Sequence, residues 1–243
     1  MEKNEKKQVT EVFNLIILDK SGSMSCIADA ARTGFNETVG GIRAAQEKYP
    51  DTQRHYVSLM IFCDCEKKML WDKTPVADVK ELTSKDYRPC CGTPLYDAMG
   101  ISLNALYSYI KDRENATAMV TVITDGYENA SREYSGRTIK ALIEKLKNEE
   151  GWNFAYMGAN QDVDAVSFSL SIDHKMEFDY DEEGARKAFL ADRKARMTKY
   201  DNLQYSLANE SAMSIRERKL ARAKRNMEEK YFQDEDDTKG ENK

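Results

Sequence analysis

Blocks of apolar positions alternate with amphipathic blocks along this chain, and the two periods predict strands and helices in turn. Residues 12–18 are apolar at every position except Asn14, the pattern of a strand buried on both faces. Residues 28–48 read as a helix ended by Tyr49-Pro50, because the residue before a proline is pushed out of the helical region. Residues 55–65 alternate through Val57, Leu59, Ile61 and Cys63. Residues 67–71 can return beside them after the polar 64–66 turn, as one antiparallel excursion. Helical spacing reappears over 95–110, 137–147, 162–170 and 182–200, and strands are expected over 119–123, 152–157 and 176–178.

This order predicts an α/β fold, doubly wound, with a mostly parallel sheet, one antiparallel edge strand and helices on both faces. The expected division is an N-terminal tail at 1–10, one domain over 11–200, and a charged helical extension with a disordered end over 201–243. In the extension, residues 215–225 are strongly basic, whereas Glu228, Glu229 and residues 234–237 are acidic. Met213, Leu220 and Met227 recur every seven residues, a stripe too short for a coiled coil.

Composition narrows the class. The chain has 243 residues, 41% apolar and 33% charged, enough for one sizeable core and a solvated appendage. A net charge of −5 gives no global attraction to nucleic acid or anionic membrane. Residues 1–8 are charged and lack the apolar stretch of a secretory signal, and no run approaches the roughly 20 apolar residues of a membrane span. The five cysteines, an odd number with Cys90 and Cys91 adjacent, make a poor disulfide framework. The expectation is a cytoplasmic protein.

The candidate chemistry lies at the carboxyl end of the first strand, where Asp19-Lys20-Ser21-Gly22-Ser23 sets one carboxylate and two hydroxyls at a strand-to-loop edge. Hydroxyls, a carboxylate and retained waters suit a hard cation such as Mg²⁺. Two later segments, Cys91-Gly92-Thr93-Pro94-Leu95-Tyr96-Asp97 and Val120-Thr121-Val122-Ile123-Thr124-Asp125-Gly126, add a separated threonine and an aspartate in a T-D-G turn. Asp19, Thr93 and Asp125 all fall at or near strand carboxyl ends, the rim where open parallel sheets bind ligands. Together these segments resemble the metal-ion-dependent adhesion site (MIDAS) of von Willebrand factor A (vWA) domains, over roughly residues 10–200. The resemblance implies that Asp19, Ser21, Ser23, Thr93 and Asp125 hold Mg²⁺ or Mn²⁺. It also implies that a partner protein supplies an Asp or Glu carboxylate to the metal. Soluble bacterial members of that family commonly act as adaptors in larger assemblies, often with ATPases, so an ATPase partner is expected, with no catalysis by this chain.

Rival readings are weaker. Haloacid dehalogenase phosphatases also end their first strand in an aspartate, but need a second acid where this chain has Ser21. No G-x-S-x-G elbow makes Ser21 or Ser23 a hydrolase nucleophile. His55 and His174, the two histidines, read as solvated or core-edge residues. Near Asp19, only Asp97 and Glu128 offer a further acid or base. Cys63-Asp64-Cys65 and Cys90-Cys91 lack the paired C-x₂-C spacing of zinc knuckles, so they read as small apolar residues, although oxidation at Cys90 or Cys91 would disturb the Thr93 loop. The basic stretch reads as a solvated helix, with nucleic-acid contact as its alternative.

Overall fold

Asp19 ends the central strand of a six-stranded sheet whose order is β3-β2-β1-β4-β5-β6. The structure, a computed structural model, describes residues 9–210, 213–229 and 231–232. The charged residues 1–8, the acidic 234–237 and the expected disordered end at 240–243 lie outside the described residues. The strands are β1 (Thr10–Asp19), β2 (Gln53–Cys63), β3 (Glu66–Pro75), β4 (Ala116–Thr124), β5 (Asn153–Gly158) and β6 (His174–Glu177). All neighbours run parallel except β2 and β3, so the expected doubly wound sheet with one antiparallel edge strand is present.

Alternation along β1 sorts its side chains between two helical layers. Val12, Ile16 and Leu18 pack with α1 (Ala28–Lys48) and α5 (Glu182–Glu210). Phe13, Leu15 and Ile17 pack on the other face with α2 (Leu95–Ile110) and α3 (Gly136–Glu150), near the short α4 (Val163–Ser169). Gly34 lets α1 and α5 touch, because a β-carbon there would sit 2.2 Å from the Phe189 ring. The exposed edge of β3 carries Lys67, Lys68 and Lys73, charges that discourage pairing with another sheet.

Several boundaries differ from the sequence reading. β2 starts two residues earlier than expected and ends at Cys63, so Cys65 falls in the turn and not on the strand. β6 lies at His174–Glu177, since pairing with β5 decides a short edge strand whose own pattern is too polar to read. α5 runs through residue 200 to Glu210 because nothing between them breaks the helix.

The basic stretch forms α6 (Ile215–Glu228), started by a Ser214–Glu217 capping box. It is not simply a solvated helix, for Arg218 and Arg222 are buried. Arg222 clamps Glu210 Oε2 through Nε and Nη2 at 2.9 and 2.7 Å, and donates to Ala116 O at 3.2 Å and Asn115 Oδ1 at 2.9 Å. These contacts lie at the amino-terminal end of β4, opposite the rim that carries Asp19. Gly151 ends α3 with φ +68°, and a β-carbon there would meet Lys219 O of α6 at 2.7 Å. Leu220 and Met227 of the heptad stripe stay exposed.

A second ion cluster holds α5 on the sheet. Arg196 is fully buried and donates to Asp192 Oδ2 at 2.8 Å, Asn14 Oδ1 at 3.1 Å and Thr121 Oγ1 at 2.6 Å. Tyr231, beyond α6, donates to Asp192 Oδ1 at 2.9 Å, so the extension reaches back into the domain core.

Candidate metal centre

The parallel register fixes the rim. Asp19 pairs with Phe62 of β2, and Thr124 at the end of β4 pairs with Gly158 of β5, so the strand ends are nearly level. After Asp19 the chain turns through a short helical segment, Gly22–Ile27, and α1 begins at Ala28. That turn places both serines beside the strand end.

Asp19 is fully buried, and its two carboxylate oxygens accept from Ser21 N at 2.7 Å and Thr124 Oγ1 at 2.6 Å. The buried Tyr87 hydroxyl donates to its carbonyl. Ser21 Oγ lies 3.1 Å from Ser23 Oγ, and Ser23 Oγ donates to Asp125 Oδ1 at 2.7 Å. Thr93 is buried in a loop stitched to its surroundings on three sides. Cys90 N donates to Lys20 O, Asp64 N to Gly92 O, and Thr93 N to Asn129 Oδ1 at 2.8 Å. A β-carbon placed on Gly126 would stand 3.6 Å from Thr93 Oγ1 and 3.7 Å from Ser23 Oγ, so both hydroxyls border the same small space. The fold thus brings Asp19, Ser21, Ser23, Thr93 and Asp125 together at one rim.

Electrostatically the rim lacks compensation. Burial raises the Asp19 carboxyl from its ordinary 3.8 to about 6; hydrogen bonds from Thr124 and Ser21 oppose this and the neighbouring Asp125 charge adds to it. Burial also raises Asp125, with the Ser23 and Tyr180 hydroxyls opposing. Among the described residues the buried Asp125 Oδ2 has no hydrogen-bond partner at bonding distance, although the Tyr180 hydroxyl lies near enough to act on that carboxyl. A buried carboxylate oxygen without a partner is unfavourable and uncommon. Two carboxylates, neutral hydroxyls and an unmatched oxygen fit a hard divalent cation, whose charge the pair would balance.

The other titratable groups near the rim are committed elsewhere. Asp97 is buried and accepts the backbone N–H groups of Arg132, Glu133 and Tyr134. Glu128 accepts from the N–H groups of Tyr96, Ala130 and Ser131 and from the Ser131 hydroxyl. Both carboxylates shape the loop that follows Asp125. His55 lies on β2 seven residues before Phe62, about 23 Å of strand away from the rim.

Sequence reading missed Thr124, Tyr87 and Tyr180. Thr124 could have been found, since it directly precedes Asp125 at the end of an apolar strand. Tyr87 and Tyr180 have no local signal. Tyr180, between β6 and α5, donates to Ser23 O and accepts from Cys26 Sγ, which puts its phenol at the edge of the site.

No sequence-family model and no curated protein sequence matches the chain. Solved structures do. A von Willebrand factor type A structure from Catenulispora acidiphila matches with a TM-score of 0.53 and 13% identity, covering 79% of this chain and 43% of that one. The open conformation of the pilus adhesin SpaC from Lactobacillus rhamnosus GG matches with a TM-score of 0.56 and 14% identity, covering 80% and 31%. Proximal thread matrix protein 1 from the mussel byssus, with a zinc-occupied MIDAS motif, matches with a TM-score of 0.50 and 12% identity, covering 78% and 46%. The chain spans less than half the length of each of these structures. At these identities the likeness is one of fold, and the fold is of the vWA type.

Proposed function

We propose that this chain is a divalent-metal-dependent protein-binding module in which Asp19, Ser21, Ser23, Thr93 and Asp125 hold Mg²⁺ or Mn²⁺. The unmatched Asp125 Oδ2 carries this reading, because the described residues supply hydroxyls and amides around the two carboxylates but no cation to meet them. A metal held by two carboxylates and weak neutral donors stays electrophilic and supplies an open position for an anionic oxygen. Thr124 and the Ser21 amide orient Asp19, and Ser23 orients Asp125, so the donor set is fixed before anything binds. The matching ligand is an Asp or Glu carboxylate on a partner protein. The resemblance to soluble vWA proteins favours an adaptor role in a cytoplasmic assembly, with any nucleotide chemistry belonging to an ATPase partner.

Catalysis by this chain is not part of the reading. Asp97 and Glu128 are occupied by loop N–H groups, neither histidine lies at the rim, and the remaining carboxyl beside Asp19, Asp125, is assigned to the metal in this reading. The inward-turned Arg218 and Arg222 also weaken the nucleic-acid alternative.

A pull-down from cell extract with the full chain tests the reading. A partner retained in Mg²⁺, released by chelator and lost with Asp19→Ala supports it. Phosphomonoester turnover abolished by Asp19→Asn would replace it with a phosphatase.

A further inference from the structure

Four of the five cysteines, separated in sequence as Cys63/Cys65 and Cys90/Cys91, meet in the fold. Cys63 ends β2, Cys65 lies in the turn to β3, and Cys90 and Cys91 lie in the loop that leads to Thr93. Asp64 N donates to Gly92 O at 3.0 Å, which ties the two segments together, and Gly22 N donates to Cys91 O at 3.0 Å, which ties the second of them to the turn after β1. The Sγ atoms of Cys65, Cys90 and Cys91 all lie within 4.8 Å of one another. Cys65 Sγ is 2.7 Å from Cys91 Sγ, and Cys63 Sγ is 3.5 Å from Cys90 Sγ. Cys63 is buried, Cys90 half-buried, and Cys65 and Cys91 exposed, so the cluster opens to solvent on one side. Cys91 also adopts φ 66°, a left-handed conformation unfavourable for a non-glycine residue.

We propose that Cys65, Cys90 and Cys91, with Cys63 beside Cys90, form a thiolate site for a soft divalent cation of the zinc class. Thiolates favour such ions, whereas the rim offers only oxygen donors, so the two neighbouring sites differ in ligand type. Zinc–sulfur bonds of about 2.3 Å place the sulfurs of a tetrahedron about 3.8 Å apart. The Cys63–Cys90 spacing of 3.5 Å is close to that value. The Cys65–Cys91 pair would open by about 1 Å. A disulfide would use only two sulfurs at a time and require an external oxidant; a metal uses three at once. The Lys20 ammonium, paired with Glu66, also lies close enough to Cys63 and Cys90 to feel their charge. A bound ion would clip the β2–β3 turn to the loop carrying Thr93. The inference stands whether or not the oxygen rim holds a metal.

The test is a Co²⁺ titration of the full-length, reduced protein under anaerobic conditions. The expected result is one equivalent bound with sulfur-to-cobalt charge-transfer and tetrahedral d–d bands, displaced by Zn²⁺. Cys65→Ser with Cys91→Ser should lose the bands, weakening binding by more than the roughly 10–100-fold typical of outer-shell losses. Cys26→Ser, an exposed cysteine outside the cluster, should keep them, and so should Asp19→Ala, which separates this site from the rim. If circular dichroism shows the double variant unfolded, Cys65→Ser alone should lower the charge-transfer intensity. Absence of sulfur bands in reduced wild type, or bands unchanged by the serine variants, would overturn the proposal. So would a Cys65–Cys91 disulfide in protein purified without reductant, if the reduced form then takes up no metal.

Discussion

Asp192 and Glu210 meet their countercharges within the chain, whereas among the described residues Asp19 and Asp125 meet hydroxyls and amides. Asp192 accepts from Arg196 and Tyr231. Burial would raise the Glu210 carboxyl, but Arg222 and Arg225 hold it below its ordinary value. At the rim the balance is reversed: burial prevails, and both carboxyls are raised. A buried carboxylate paired with arginine is part of the fold, whereas burying one without a countercharge is costly, and the proposed metal would remove that cost at the rim.

The largest expected effect breaks an internal pair. Asp192→Ala leaves the Arg196 guanidinium buried without its carboxylate and should cost about 3–5 kcal/mol in urea unfolding. Asp19→Asn in metal-free buffer should cost under about 1 kcal/mol, because a neutral amide replaces a carboxylate that burial disfavours. Equal costs would erase the comparison.

Truncation after residue 202 comes next. It removes Glu210, Arg222 and the buried Tyr231, exposes the face at Asn115 and Ala116, and should cost at least about 3 kcal/mol, judged by the loss of one large buried aromatic alone. An unchanged melting curve would show that the extension is a separate unit.

His55 is a third kind of buried group, one that escapes its problem by staying neutral. Its Nδ1 has no partner among the described residues, and burial lowers its pKa from 6.5 to about 3. The sign follows: the unfolded chain takes up the proton first, so stability present above pH 6.5 is lost as pH falls from 6.5 toward 3. The slope reaches about 1.4 kcal/mol per pH unit for this group, and His55→Gln should flatten it in acid unfolding measured at several pH values.

The sequence made the oxygen site legible because its parts are local. Asp19, Ser21 and Ser23 sit in one turn, and Thr93 and Asp125 each close a recognisable strand or loop pattern. β1 and β4 were equally legible, since strands buried on both faces need near-continuous apolar runs. What escaped depends on distant pairing. A run such as Arg216 to Arg225 looks solvated until Glu210 and Asn115 are brought to Arg222. The cysteines were judged on sequence spacing, which is silent about two segments joined across a hairpin turn. Tyr180 reaches the rim from more than 150 residues beyond Ser23, a separation that no local pattern records.

The central claim is that the rim pairs with an external hard cation, and thermal melting in saturating Mg²⁺ tests it most directly. A ligand at about 100 times its dissociation constant stabilises the folded state by about 2.7 kcal/mol, a rise in Tm of about 5–10 °C for a domain of this size. Mg²⁺ is too hard for the sulfur cluster, so the rise reports the oxygen site alone. The account predicts that rise in the wild type and its near-complete loss in Thr93→Ala with Asp125→Ala. An equal rise in both proteins, or none in the wild type, would contradict it.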